Sequence, residues 1–360
     1  MKTRKHMAGL GFLALFAGVA CSSPSCAGSP SEAATTKGKP HVQHTVVSRT
    51  LTLEDVDRLV WRPGLNATFA PTTIAERETL ARLVPRLLEG ARAATPPDPL
   101  AWQEDAARAG LVIERWQVDG QAYWALLELP EQPRGAGAYI FRVAPADAAA
   151  DAAAEILLEA PHNYFDERTG QLGAQLFFFP PPGARPRAFF TNTIHRYQSA
   201  PGKKLKQKNS PADVAHNPEH GYSTATEAFA RALGGRVLVI QLHGFAGQPG
   251  AGEDDEESAA TPTEISMVVS AGDKQASSPR SAALAAALAR AFGTGVKRYP
   301  EDVKVLGATT NVQGRLLRSV QGAEFVHIEM SAELRKSFTS DAAQRARLGT
   351  ILFNTGAESR

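Results

Sequence analysis

Along the chain, short apolar runs alternate with stretches whose apolar residues recur every three or four positions. Leu111–Val118 (L-V-I-E-R-W-Q-V) and Gln121–Leu129 flank Asp119-Gly120, a dipeptide that tolerates the positive φ values of a tight turn, and this predicts a hairpin. Gly137–Val143 is a third strand candidate. Glu155–Ala160, Arg187–Thr191, Arg236–Leu242, Glu264–Ser270 and Glu324–Met330 read as further strands, most of them too apolar to face water on either side. Residues 72–94 place Ile74, Leu80, Leu83, Val84 and Leu87 at helical spacing, with a kink or break expected at Pro85. Ala146–Ala154, Ser223–Leu233 (Ser223 as N-cap) and Arg280–Phe292 complete the predicted helices. Strands alternating with helices predict an α/β fold. We expect a mixed, largely parallel sheet flanked by helices, with the hairpin adding antiparallel strands at one side.

The two ends of the pattern differ from its middle. Lys2, Arg4 and Lys5 precede an apolar stretch from Met7 to Ala20 that is short for a membrane span and suits a secretory signal peptide. Its end, Gly18-Val-Ala-Cys21, resembles a bacterial lipoprotein signal, which implies a lipid on Cys21. Ordinary cleavage with a Cys21–Cys26 disulfide is the alternative. Residues 21–45, rich in Ser, Pro, Ala and Gly, are expected to be a flexible linker. An N-terminal helical segment (46–100) and a catalytic domain (101–355) follow, and the protein is expected to be exported to the cell envelope. No cysteine follows Cys26, so thiol chemistry in the folded body is excluded. The formal net charge is +2, of which the first twenty residues supply +3, leaving a near-neutral body that gives no reason to expect nucleic acid as a partner. A basic stretch (Lys203–Lys208) and an acidic one (Gly252–Ser258) read as solvated loops. Any membrane contact would come only through the N-terminal lipid.

Two histidines stand where ligands bind in open α/β sheets, beyond the carboxyl ends of strands. His162 follows 155–160 in P-H-N-Y-F-D-E-R-T, and His243 ends V-I-Q-L-H-G-F. With Asp166 or Glu167 they make two imidazoles and a carboxylate, a set that holds zinc and leaves a fourth position for water. Glu329 lies in E-F-V-H-I-E-M, where alternation puts it on one face with Phe325 and His327. A carboxylate there is either a proton shuttle or a partner of Arg335 or Arg315. The stretch 213–222 holds His216 and His220 but is assigned no ligand.

Taken in order, the motif at His162–Thr169, the strand-end His243 and F-V-H-I-E-M-S-A-E-L-R (325–335) resemble the zinc carboxypeptidase superfamily. The similarity is closest to its relatives of the poly-γ-glutamate hydrolase and N-formylglutamate amidohydrolase type, over residues 110–355. The resemblance implies a zinc carboxypeptidase-like, phosphorylase/hydrolase-like sandwich with Zn²⁺ on His162, Asp166 and His243. It implies Glu329 as general base, with Arg196 and Asn192 at the place of a substrate carboxylate clamp. The acid stands four residues after His162, where peptidases of the superfamily have it at three. The function this implies is exported, zinc-dependent cleavage of an amide or peptide bond in a peptide, amino-acid amide or glutamyl-type substrate. The alternative is a tethered binding protein that keeps the fold without catalysis. A serine hydrolase is disfavoured because the chain has no G-x-S-x-G.

Overall fold

A computed structural model of the chain describes residues 46–93, 99–144, 155–198, 210–247 and 264–354. The expected signal peptide and linker, the 146–154 helix and both charged loops lie outside the described residues. β1 (Val47–Thr50) is followed by α1 (Leu53–Val60), α2 (Ile74–Arg92) and α3 (Pro99–Arg108). The hairpin is β2 (Leu111–Val118) and β3 (Gln121–Glu128), turning at Asp119 (φ 49°) and Gly120 (φ 75°). Then come β4 (Ala138–Arg142), β5 (Glu155–Ala160), α4 (Thr169–Phe178), β6 (Ala188–Thr191), α5 (Gly221–Ala232) and β7 (Val237–Gly244). The chain continues through β8 (Met267–Ser270), α6 (Pro279–Phe292), β9 (Val296–Arg298), α7 (Val312–Leu317), β10 (Glu324–Met330), α8 (Ala332–Ser340) and α9 (Ala342–Asn354).

These strands form one mixed sheet in the order β1-β2-β3-β4-β6-β5-β7-β10-β8-β9. Its centre, β6-β5-β7-β10, is parallel. Antiparallel pairing occurs on the hairpin side, as expected, and also where β8 joins β10. Helices cover both faces of the centre, which is why its strands read as near-continuous apolar runs. Ile156, Leu158, Ile240, Val326 and Ile328 pack on Leu172, Phe177, Leu284 and Leu352. Leu157, Val237, Val239 and Phe325 pack on Leu83, Leu87 and Phe229 on the other side. Each such aliphatic or aromatic side chain gains ~1.5–3 kcal/mol by burial. β1 pairs with β2, and α2 packs on α5, so residues 46–93 share this sheet and core.

Three local features bear on these expectations. The chain does not break at Pro85, which lies inside α2, where Leu80, Leu83, Val84, Leu87 and Leu88 are all buried; their packing outweighs the ~3 kcal/mol a helix proline costs. Ile74 is 67% exposed rather than core, because the helix begins at this residue, with Thr73 as cap in a capping box with Glu76. The α5 N-cap is His220, whose ring accepts from Tyr222 N, while Ser223 Oγ is turned to Asn217 O.

Candidate functional site

The carboxyl ends of β5, β7 and β10 bring His162, His243 and Glu329 together. After β5 the chain makes a tight turn in which His162 O accepts from Phe165 N (2.8 Å) and Asp166 N (2.7 Å). This i→i+4 closure lays Asp166 back against His162, so a spacing of four suffices. Thr169 Oγ1 bonds Asp166 O at 2.8 Å and fastens the turn to α4. Asp166 is buried and Glu167 is exposed, so of the two acids Asp166 faces inward. Its Oδ2 lies 3.5 Å from His162 Nδ1 and 3.0 Å from His243 Nδ1. The two imidazole rings sit edge to face, 4.7 Å apart.

Hydrogen bonds on the far sides of the rings fix which nitrogens are bare. His162 Nε2 lies 2.8 Å from Asp213 Oδ1, a carboxylate that can only accept. Arg196 Nη1, which can only donate, is 3.3 Å from His162 Nδ1. The proton is therefore on Nε2, and Nδ1 carries the lone pair. His243 Nε2 lies 2.9 Å from Gln241 Oε1, which also accepts from Asn311 Nδ2 at 2.6 Å, so the His243 proton is on Nε2 too. Nδ1 of both rings faces the Asp166 carboxylate. Burial, partly opposed by Asp166, pushes His243 down to about 4, so His243 takes no second proton near neutrality. His162 differs: burial and Arg196 would lower it, but Asp213 and Asp166 outweigh them and raise it, so in the ion-free protein a proton competes for its Nδ1. Burial alone would raise Asp166, but His162 and His243 outweigh it and hold the carboxyl well below the usual range. Once the proton on His162 Nδ1 is displaced, two imidazole nitrogens and an ionised oxygen, each set from behind, form a donor set that fits a divalent first-row cation.

Glu329 pairs directly with His243 across β7–β10 and shares its face of β10 with His327. His327 packs 4.4 Å from His243, and its Nε2 is 3.6 Å from Glu329 Oε1. Among the described residues, His327 Nδ1 and Glu329 Oε2 are buried with no hydrogen-bond partner, the kind of unmet polar demand a ligand satisfies. Burial first, then Asp166, raises Glu329 well above the ordinary carboxylate range. Glu329 makes no arginine ion pair among the described residues. Arg335 instead donates to the carbonyls of Glu167 (2.7 Å), Phe245 (3.1 Å) and Met330, tying together the segments beyond β5, β7 and β10. Gly244 is required for that approach, since a Cβ there would stand 2.0 Å from Arg335 Nη1.

The two expected substrate residues part ways. Arg196 lies at the site: it bonds Asp213 Oδ2 and packs on the faces of Phe165 and Tyr197 at 5.2 and 5.1 Å. Asn192 is fully buried, and both ends of its amide bond Ile194, at 2.6 and 3.2 Å. Sequence reasoning missed Asp213. It is 2% exposed, and besides His162 it meets Arg196 and His216, whose Nδ1 is 3.1 Å away. Burial would raise it; His162, His216 and Arg196 together drive it far below the ordinary range. Gln241 was also passed over, although a polar residue inside V-L-V-I-Q-L-H was a signal. A cleft of about 320 Å³ opens beside His216, lined by Phe69, Arg77, Pro211 and His220 among others.

No family model matches the sequence, and no curated protein matches it. Among solved structures, the chain is similar to a bacteriophage poly-γ-glutamate hydrolase, at 13% identity over 57% of this chain and 84% of that one, with a TM-score of 0.33. It is also similar to N-formylglutamate amidohydrolase from Ralstonia eutropha (14%, 57% and 93%, TM-score 0.34). A third is an aspartoacylase family protein from Mesorhizobium loti (15%, 65% and 61%, TM-score 0.31). The first two are of the types that the motifs at 162–169 and 325–335 resemble. At this degree of likeness they say nothing about chemistry, which rests on the site itself.

Proposed function

We propose that the chain is an exported, zinc-dependent hydrolase of an amide or peptide bond, with His162, Asp166 and His243 as ligands. The observation that carries this reading is the convergence of His162 Nδ1 and His243 Nδ1 on Asp166 Oδ2, at 3.5 and 3.0 Å, three buried donor atoms of the kind a zinc-class ion takes. A bound zinc-class ion supplies the Lewis acidity that polarises a carbonyl and acidifies water. The protein's own residues do the rest. Glu329 takes a proton from the attacking water and delivers it to the leaving nitrogen. Burial first and Asp166 second raise its pKa, and positive charge beside Asp166 would offset the second of these causes. Arg196, stacked on Phe165 and Tyr197 beside His162, supplies a fixed positive charge for a developing oxyanion or a substrate carboxylate.

The substrate class is a peptide, an amino-acid amide or a glutamyl-type polymer. Screening the zinc-loaded protein on N-acyl amino acids, dipeptides and poly-γ-glutamate tests the reading, with Glu329→Gln as control. Hydrolysis of one class, lost in the variant, supports it. Zinc bound with none of the three cleaved would favour a binding protein.

A further inference from the structure

Behind His243 a buried polar chain runs into the core, and the proposed chemistry does not use it. Glu159 on β5 and Gln241 on β7 lie directly opposite in the sheet. Both are fully buried beside apolar strand neighbours, Leu158, Ala160, Ile240 and Leu242, where a polar side chain is costly unless it is hydrogen-bonded. Glu159 Oε2 accepts from Gln241 Nε2 at 2.8 Å, and its Oε1 is held by the Thr226 hydroxyl of α5. The other end of the Gln241 amide, Oε1, faces His243 Nε2. Chemistry runs one way along this chain. When Glu159 carries a proton, it sits on Oε1 toward Thr226 Oγ1, whose own hydrogen goes to Tyr222 O; Oε2 accepts in either state, demands the Gln241 NH2 and leaves the amide oxygen for His243. That oxygen demands the imidazole N–H, which leaves Nδ1 bare toward Asp166.

Two neighbours agree with this direction. Asn311 caps α7 through Oδ1, which accepts from Gly314 N, so only its NH2 remains for Gln241 Oε1. Gln313 spends its NH2 on Val214 O and Ser223 Oγ, so its carbonyl faces Gln241 Nε2, at a longer 3.4 Å. Of the two acceptors on the NH2 side, Glu159 is therefore the closer.

The geometry points to Glu159 as a positioning residue of the centre: through Gln241 it fixes the His243 tautomer that presents Nδ1 to a cation. This rests on the proposed role of His243 as a ligand. A purely structural carboxylate would have no such consequence, and replacing it with an apolar side chain of similar volume would relieve a desolvation cost without touching metal binding.

The experiment compares wild type, Glu159→Met and Glu159→Gln. Zinc affinity is read by competition with a chromophoric chelator, thermal unfolding is followed on the metal-free proteins, and the His243 tautomer is read from ring ¹⁵N shifts above pH 6. Glutamine keeps an acceptor toward Gln241 and can donate its NH2 to Thr226 Oγ, so it should bind zinc like wild type. Methionine removes the acceptor, so affinity should fall about 10-fold, the low end of the range for residues that orient a ligand. In the metal-free methionine variant the Nδ1–H tautomer of His243 should appear, while melting stays unchanged or rises. Methionine within twofold of wild type, or both variants weakened alike, would overturn the proposal. If wild type binds no zinc, the ligand reading fails on its own, and the ring tautomers still decide whether Glu159 sets His243.

Discussion

Asp213→Asn is the sharpest perturbation of the centre that replaces none of the proposed ligands. Asp213 Oδ1 takes His162 Nε2 at 2.8 Å and Ala215 N at 3.2 Å, while Oδ2 faces Arg196 Nη2 and His216 Nδ1. Asparagine offers one acceptor end to a residue surrounded by donors. With its oxygen toward His162, the NH2 points at Arg196, and a buried ion pair is lost. With the oxygen toward Arg196, the NH2 points at His162 Nε2, and the imidazole must carry its proton on Nδ1, the nitrogen a metal needs. Losing the partner that orients a ligand histidine costs 10–100-fold in affinity, or about 1.4–2.7 kcal/mol. Chelator competition at pH 7.5 should show that loss for zinc. A second readout is stability against pH. The folded protein holds Asp213 far below the free-aspartate value of about 3.9, so its contribution is complete above that pH and is lost as the pH falls further, when the unfolded chain binds the proton first. Acid unfolding of the metal-free variant should begin from a lower plateau and lack that part of the slope. Zinc affinity within twofold of wild type would refute the tautomer reasoning.

Further outcomes follow from the same geometry. Glu329→Gln should keep zinc and fold while turnover drops ~10²-fold or more, measured on whichever amide the screen finds. Glu159 is pushed up to about 7 by burial, against the bonds from Thr226 and Gln241, so the native metal-free protein holds a proton that the unfolded chain has released. Its stability should therefore decline as pH rises from about 4.5 to about 7, by up to ~3 kcal/mol, and Glu159→Gln should flatten the decline in denaturant titrations. Arg335→Met leaves the carbonyls of Glu167, Phe245 and Met330 without their donor and should cost ~3 kcal/mol or more in the same titrations.

What could be read in the sequence follows from where the information is local. The central strands were legible because burial on both faces leaves unbroken apolar runs, and His162 and His243 stood out by ending two of them. Glu329 was legible through strand alternation with His327. Asp166 was legible as one of two acids, and the choice between them needed the tight turn after β5. Asp213 was not legible. It lies in a turn-rich stretch without periodicity, and only folding across the sheet carries it to His162, 51 residues away in sequence. Asn192 drew attention by its place after β6, but its short side chain finds the backbone of Ile194 within two residues, a local bond that no spacing argument foresees. The helix continues through Pro85 because the packing of α2 against α5 is a tertiary effect that overrides a local propensity.

The account stands on a cation shared by His162, Asp166 and His243. Isothermal titration of zinc into the metal-free protein, with His162→Ala and His243→Ala alongside, tests it most directly. We predict one ion per chain for wild type and loss of that binding in both variants, with all three proteins folded. A wild type that binds neither zinc nor another first-row divalent ion, or alanine variants that bind as tightly as wild type, would contradict it.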